Sequence, residues 1–269
     1  MPAINESLAT YLTSARASET VSSEQIAEHL TETLRQHDKH FTLGYQPPSA
    51  NENKPRKLLW FARLERQNYG FTSLEILDKN VGVLDFWGFA AVNALSKQKV
   101  SSVMTFLSDV DALIIDLRNN GGGSGEMVHL ISSYFVDGKV HLNSLYTRHT
   151  DVTQEFWTTP EINNNHLENI PLYILISGET FSAAEEFTYN FQQMKRATIV
   201  GEASKGGANP WRWYPLAEDF RIGIPITKAI NPVTQSNWEG VGVQSDVDAT
   251  GKNALDVAYA LALDAIQNQ

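Results

Sequence analysis

The sequence predicts an α/β fold, and three observations support that prediction. Residues 111–116 and 172–176 are almost continuously apolar, as expected for strands that are buried on both faces of a parallel sheet. Each run is followed by a turn and then by apolar residues at helical spacing, over residues 127–135 and 182–194. The chain has 269 residues, of which 42% are hydrophobic, and this suffices for a sizeable core. Strands that alternate with helices in this way indicate a sheet whose faces are covered by helices.

The other predicted elements continue this alternation. The first 36 residues are predicted to form two helices, the first of which carries Ile4, Leu8 and Leu12 on one face. The second helix begins at Ser22, and Gln25 three positions later completes the pattern of a capping box. Further strands are predicted at residues 81–86 and 198–200, and further helices at residues 94–107 and 256–266.

The stretch from residue 46 to residue 57 is rich in proline and asparagine, which is typical of a loop or linker. We therefore predict a helical subdomain at residues 1–45, a linker at residues 46–57 and a core domain at residues 58–269.

Composition restricts the classes of partner. The net charge of −10 argues against a nucleic-acid partner, because phosphate binding needs a large cationic surface. The chain has no cysteine, which excludes a disulfide scaffold, a thiolate zinc site and a cysteine nucleophile. The spacing of His129, His141, His149 and His166 matches no metal motif, and we predict neither a metal nor a cofactor.

The sequence leaves the compartment and the oligomeric state open. No apolar run approaches the roughly 18 residues that a membrane span needs, so we predict no membrane span. The first residues lack the pattern of a signal peptide. The protein is expected to be periplasmic or secreted if such a peptide was removed, and cytoplasmic otherwise.

Two strand-to-helix turns carry residues that are suited to chemistry. The first contains three consecutive glycines at residues 121–123, but it matches neither the mononucleotide motif nor the dinucleotide motif. The second contains Ser182 at the start of a predicted helix. A serine there could be an N-cap that stabilises the helix by about 1 kcal/mol. It could equally be a nucleophile, because the unpaired N–H groups of a helix N-terminus stabilise an oxyanion.

Four segments, taken in order, resemble motifs of the C-terminal-processing (tail-specific) protease superfamily, and together they cover about residues 20–260. They are residues 111–123, 180–187, 195–202 and 237–243. The most similar branch contains relatives of interphotoreceptor retinoid-binding protein and the core of the tricorn protease. The resemblance implies a crotonase-like (ClpP-like) α/β core with a small, incomplete N-terminal helical subdomain. It also implies a serine-type peptidase that cleaves a peptide or protein substrate through an acyl-enzyme.

The same resemblance implies roles for individual residues. Ser182 would be the nucleophile, and the N–H of Ala183 together with that of Gly122 or Gly123 would form the oxyanion hole. Two candidates for the base remain open. Many members of the superfamily use a lysine, but here Gly207 occupies its place and Lys205 lies two positions earlier.

The second candidate base is a histidine, as in the tricorn-like branch. His40 and Glu239 match the histidine and the glutamate of that branch. Histidine suits the role because its unperturbed pKa is about 6.5, and a carboxylate would orient its ring.

A non-catalytic function remains as an alternative. The resemblance to retinoid-binding relatives implies that the protein could bind apolar ligands such as retinoids or fatty acids, and aromatic residues that accumulate late in the chain could contribute to such a site. They are Trp211, Trp213, Tyr214 and Trp238.

Overall fold

The computed structural model describes residues 21–46, 59–160, 162, 167–216 and 219–268. The predicted first helix and, apart from Gln46, the predicted linker lie outside the described residues. The chain divides into two compact units. Unit 1 comprises Met1–Lys57, Thr147–Asp151 and Asn209–Lys228, and unit 2 comprises Leu58–Tyr146, Val152–Ala208 and Ala229–Gln269.

The helices and strands are numbered here in chain order. The helices are α1 (Ser23–Leu34), α2 (Trp60–Arg66), α3 (Ala94–Phe106), α4 (Gly125–Ser132), α5 (Ala183–Gln193) and α6 (Ala254–Gln267). The strands are β1 (Thr42–Tyr45), β2 (Phe71–Leu77), β3 (Val81–Phe86), β4 (Ala112–Asp116), β5 (His141–Thr147), β6 (Val152–Trp157), β7 (Leu172–Ile176), β8 (Thr198–Gly201), β9 (Trp211–Pro215), β10 (Phe220–Pro225), β11 (Thr227–Ile230) and β12 (Val247–Asp248).

Unit 1 contains helix α1 and a three-stranded antiparallel sheet in the order β1–β10–β9. The predicted capping box is confirmed, because the Gln25 N–H donates to Ser22 Oγ at 3.2 Å and the Ser22 N–H donates to Gln25 Oε1 at 2.9 Å. These bonds fix the start of α1, whose buried face includes Leu30 and Leu34.

Unit 2 is built on a six-stranded sheet in the order β12–β8–β7–β4–β3–β2. All neighbouring strands in it are parallel except β2, which runs antiparallel to β3. Every residue of the central strands β4 and β7 is buried, because both faces of the sheet are covered. Large apolar side chains such as Phe187 and Phe191 of α5 form the core on one face, and Ala254, Ala258 and Ala262 of α6 pack on the other.

This arrangement confirms the predicted α/β class. The strands predicted at residues 81–86, 111–116, 172–176 and 198–200 correspond to β3, β4, β7 and β8, and each differs from its prediction by at most one residue at either end. The helices predicted after them correspond to α3–α6. Within the described part of the chain, no helix combines the length and the apolar character needed to cross a membrane.

Candidate active site

The two turns singled out in the sequence meet at one edge of the sheet. The glycine loop (residues 121–123) follows β4, and the Ser182 turn (residues 177–182) follows β7. These two strands are parallel neighbours, and Asp116 pairs with Leu175 near their carboxyl ends. Ligand sites of open parallel sheets lie at this edge, because the loops that leave adjacent strands converge there.

Asn120 ties the two turns together, a role that the sequence did not suggest. Its side chain is fully buried, and its Nδ2 donates to the Phe86 carbonyl at 2.8 Å. Its Oδ1 accepts the Gly122 N–H at 2.9 Å, and its carbonyl accepts the Phe181 N–H at 3.0 Å. A single asparagine therefore fixes the end of β3, the glycine loop and the Ser182 turn relative to one another.

Gly122 brings the glycine loop into contact with the Ser182 turn. Its φ is 86°, and a Cβ added to it would lie 2.6 Å from the Phe181 carbonyl oxygen and 2.9 Å from both Ala183 N and Ser182 Cβ. Any side chain here would overlap the turn, so the position requires glycine. The structure thus brings together Gly122, Ser182 and Ala183, three of the predicted site residues.

The direction of the main-chain donors distinguishes the two candidate glycines. The Gly122 N–H is already bonded to Asn120. The Gly122 carbonyl accepts the Phe89 N–H at 2.9 Å, and the Ser124 N–H donates to the Phe89 carbonyl at 2.9 Å. Because both neighbours of Gly123 face Phe89, the N–H of Gly123 points away from Phe89. Ala183 is the first residue of α5, where an N–H has no acceptor within the helix.

Ser182 has an unusual backbone conformation for a helix-capping residue. Its φ is 56° and its ψ is −116°, whereas an N-cap residue normally has extended dihedral angles. Non-glycine residues with positive φ are uncommon, and strained backbone of this kind clusters at functional sites. Capping alone does not account for this geometry. A serine on a sharp strand-to-helix turn is, however, a known arrangement for a nucleophile.

Glu185, in the first turn of α5, is a fully buried acid. Its carboxylate accepts hydrogen bonds from the Ser182 N–H (2.7 Å), Ser204 Oγ (2.6 Å), the Gly206 N–H (2.6 Å) and the Gly207 N–H (3.0 Å). Burial raises the pKa of Glu185, and these hydrogen bonds oppose that effect without cancelling it. The capping-box spacing of Ser182 and Glu185 is the sequence signal that distinguishes Glu185 from Glu186, but this spacing does not indicate the bonds to residues 204–207.

Glu239 lies in the closing motif, next to the segment that contains Gly207. Its Oε2 accepts the Ala208 N–H at 2.6 Å. The neighbouring Trp238 donates its indole N–H to the Gly207 carbonyl at 3.1 Å and is only 2% exposed. Trp238 is therefore a core residue and does not line a ligand pocket.

Lys205 is not buried, whereas a lysine that acts as a base normally is. Its side chain is 48% exposed, and its Nζ is 3.6 Å from Glu179 Oε2. Gly207, which occupies the place of the family's lysine, instead donates its N–H to Glu185. The burial that activates a catalytic lysine is therefore missing at Lys205.

His40 belongs to unit 1 and is described within that unit. It is 4% exposed, and its Nδ1 lies 3.5 Å from Asp38 Oδ1, which also accepts the His40 N–H at 2.8 Å. Asp38 Oδ2 accepts a hydrogen bond from Asn209 Nδ2 at 2.9 Å. Burial raises the pKa of Asp38, but its hydrogen bonds with His40 and Asn209 outweigh this and lower it overall. His40 is thus a buried histidine paired with a carboxylate, and not a surface residue.

Comparison with known proteins identifies the family. The sequence matches Peptidase family S41 over residues 80–249, more than half of the chain, and the chain belongs to this family. A carboxyl-terminal-processing protease of Synechocystis sp. is 28% identical over 123 residues, which cover 45% of this chain and 27% of that protein. The resemblance to tail-specific proteases is therefore confirmed. The chain spans only 20–35% of the length of the curated relatives it matches.

Solved structures share the fold. A lipoprotein from Streptococcus agalactiae is 13% identical with a TM-score of 0.64, and the match covers 98% of this chain and 88% of that chain. The photosystem II D1 C-terminal processing protease is 22% identical with a TM-score of 0.51, and the match covers 63% of this chain and 42% of that chain. At these identities the likeness concerns the fold alone.

Proposed function

We propose that the protein is a serine-type peptidase that cleaves peptide bonds of a peptide or protein substrate through an acyl-enzyme on Ser182. The observation that carries the proposal is the contact of Gly122 with Ser182 and Ala183, because it sets a serine with a strained backbone beside two main-chain segments with N–H donors. Membership of Peptidase family S41 supports the same reaction. The curated relative named above is a protease and lends no support to a non-catalytic binder of apolar ligands.

The reaction would proceed by acyl transfer. Ser182 Oγ attacks the substrate carbonyl while His40 takes its proton, and the proton then passes to the leaving amine as the C–N bond breaks. Water next attacks the ester carbonyl and releases Ser182. The negative charge on the carbonyl oxygen would be stabilised by the N–H groups of Ala183 and Gly123, since the Gly122 N–H is bonded to Asn120.

Carboxylates are available to hold the histidine in the required tautomer. Asp38 contacts His40 within unit 1, and its lowered pKa keeps it ionised at neutral pH. We propose Glu239 as the second acid of the site. Its Oε2 accepts the Ala208 N–H, which fixes the orientation of the carboxylate.

The test of this proposal is labelling of the wild-type protein with a fluorophosphonate probe. We expect one covalent adduct, which peptide mapping by mass spectrometry should locate on Ser182. Hydrolysis of peptide substrates would then be compared with hydrolysis of simple esters. A folded protein that neither labels nor cleaves, but binds retinoids or fatty acids tightly, would overturn the proposal in favour of the apolar binder.

Gly122→Ala is expected to slow labelling by about 100-fold, because a displacement of about 1 Å at a reacting centre can cost this much. The added methyl group would overlap Phe181, Ser182 and Ala183 and push the two turns apart. Gly138→Ala is the matched control. Gly138 also has a positive φ, 67°, but a Cβ there would meet nothing within 4 Å. If both variants labelled at the wild-type rate, the contact at Gly122 would not matter for the reaction.

A further inference from the structure

We propose that Glu185 is a positioning residue, whose buried carboxylate fixes the main chain of Ser182 to residues 204–207 and thereby sets the position of the serine hydroxyl. The inference rests on the function proposed above. It assigns to Glu185 no contact with substrate.

The carboxylate of Glu185 accepts hydrogen bonds from two separate segments of the chain, the Ser182 turn and residues 204–207. Oε2 accepts the N–H groups of Ser182 and Gly207, so one oxygen atom bridges the Ser182 turn and the later segment. Oε1 accepts Ser204 Oγ and the Gly206 N–H. The carboxylate therefore joins two segments that follow the neighbouring strands β7 and β8, and it adds to the bond that the Lys205 N–H donates to the Thr180 carbonyl at 3.1 Å.

The network continues to the closing motif through Ser204. Ser204 Oγ accepts the Val243 N–H at 2.7 Å, and the Ser204 N–H donates to the Val243 carbonyl at 3.0 Å. Glu239 belongs to the same motif and holds the next N–H along the segment, that of Ala208. Three consecutive main-chain N–H groups, at residues 206–208, are thus bound by two acids, and such runs of N–H groups are suited to binding carboxylates.

The helix dipole does not explain this arrangement. An acid in a first helical turn is favourable without being buried. Glu186 occupies the same turn, keeps 14% of its side chain exposed and contacts His129 Nε2 at 3.1 Å. Glu185 instead is 0% exposed, and a buried carboxylate is maintained only where hydrogen bonds offset its desolvation. Three of its four donors come from outside the helix and its cap, which indicates that holding residues 204–207 is its function.

The strained backbone of Ser182 explains why this link would matter for the reaction. A conformation with φ of 56° and ψ of −116° persists only when surrounding contacts impose it. The bond from the Ser182 N–H to Glu185 is one of these contacts. Without it the residue can relax toward an ordinary extended N-cap, and its hydroxyl would move away from the main-chain donors of Ala183 and Gly123.

The decisive comparison is Glu185→Gln against Glu186→Gln. Glutamine keeps the shape of the side chain but has a single acceptor oxygen, so its amide nitrogen must face at least one main-chain N–H in place of the second oxygen. We expect the maximal rate of fluorophosphonate labelling to fall about 10- to 100-fold in Glu185→Gln, with little change in the concentration of probe at half-maximal rate. Glu186→Gln should stay within about twofold of the wild type. A Glu185→Gln variant that labels at the wild-type rate would overturn the inference.

A second measurement does not depend on the variant folding. In wild-type protein labelled with ¹⁵N, the amide signals of Ser182, Gly206 and Gly207 should shift together with one midpoint as the pH is lowered, because all three donate to one carboxylate. The groups that contact this carboxylate are uncharged donors. The titratable groups next to them on the same segments have other partners: Glu186 contacts His129, Lys205 contacts Glu179 and Glu239 contacts Ala208. Independent midpoints for the three amides would contradict the shared link.

The two proposals can fail separately. If wild-type Ser182 takes no label but the three amides titrate together, the hydrolase function fails and the structural link remains. If the wild type labels on Ser182 and Glu185→Gln labels equally fast, the function stands and the positioning role of Glu185 is wrong.

Discussion

Ser182→Ala is expected to remove all fluorophosphonate labelling and to lower kcat for peptide cleavage by on the order of 10⁶-fold, as is typical when a serine nucleophile is lost. The reason is chemical, because alanine has no oxygen to form the acyl-enzyme. Ser124→Ala provides a matched control. Ser124 is likewise the N-cap of a helix that follows a strand-to-helix turn, but its backbone is extended, with φ of −83° and ψ of 123°. Labelling that persists in Ser182→Ala would show that another residue is the nucleophile.

Comparison of Ser182→Gly with Ser182→Ala tests the backbone strain at residue 182, because both variants lack the hydroxyl. Glycine adopts positive φ without steric cost, and relief of strain at such a position is worth about 1–3 kcal/mol. The added freedom of glycine in the unfolded chain offsets about 0.5–1 kcal/mol of this. We therefore expect the free energy of unfolding, measured in urea, to be about 1 kcal/mol higher for Ser182→Gly than for Ser182→Ala, although both are inactive. Equal stability would mean that the turn stores no strain.

The strands at the centre of the sheet could be predicted because burial on both faces leaves a continuous apolar run, as in β4 and β7. The peripheral strands carry no such signal. β6 is exposed apart from the partly buried Phe156, and β9 is exposed along its whole length, so neither shows the alternation that identifies a half-buried strand. Each pairs with the strand beside it in the chain, β6 with β5 and β9 with β10, so the missing signal is burial and not sequence separation.

In the candidate site, too, some residues can be identified from local sequence motifs and others only from their contacts in the fold. Ser182 and the glycine loop could be found from motifs, because each needs a particular residue type at a fixed place in a turn. The capping-box spacing relative to Ser182 sets Glu185 apart from Glu186 in sequence, but only the fold shows that Glu185 is buried under four donors while Glu186 pairs with His129. Asp38 carries no distinctive sequence signal either, since an acid close to a histidine is common on protein surfaces and only its burial and its bond from Asn209 set it apart.

The choice between the two candidate bases leads to a prediction with a large effect. His40→Gln is expected to lower the labelling rate and kcat by on the order of 10⁶-fold, as is typical when the histidine of a catalytic triad is lost. Lys205→Met should change them by less than about threefold, because its exposed ammonium group gains little from its pairing with Glu179. The labelling rate and kcat of each variant would be measured at several pH values.

His37→Gln controls for removal of a histidine from the same segment, since His37 is exposed and three residues away from His40. It should behave as the wild type, and thermal unfolding of all three variants would establish that each is folded. A large loss in Lys205→Met together with wild-type rates in His40→Gln would reverse the assignment of the base. That result would require Lys205 to act from a half-exposed position, whereas His40 is already buried and paired with an ionised Asp38, and histidine is the residue type most often used for proton transfer. These properties favour His40 as the base, and the comparison of His40→Gln with Lys205→Met tests that choice directly.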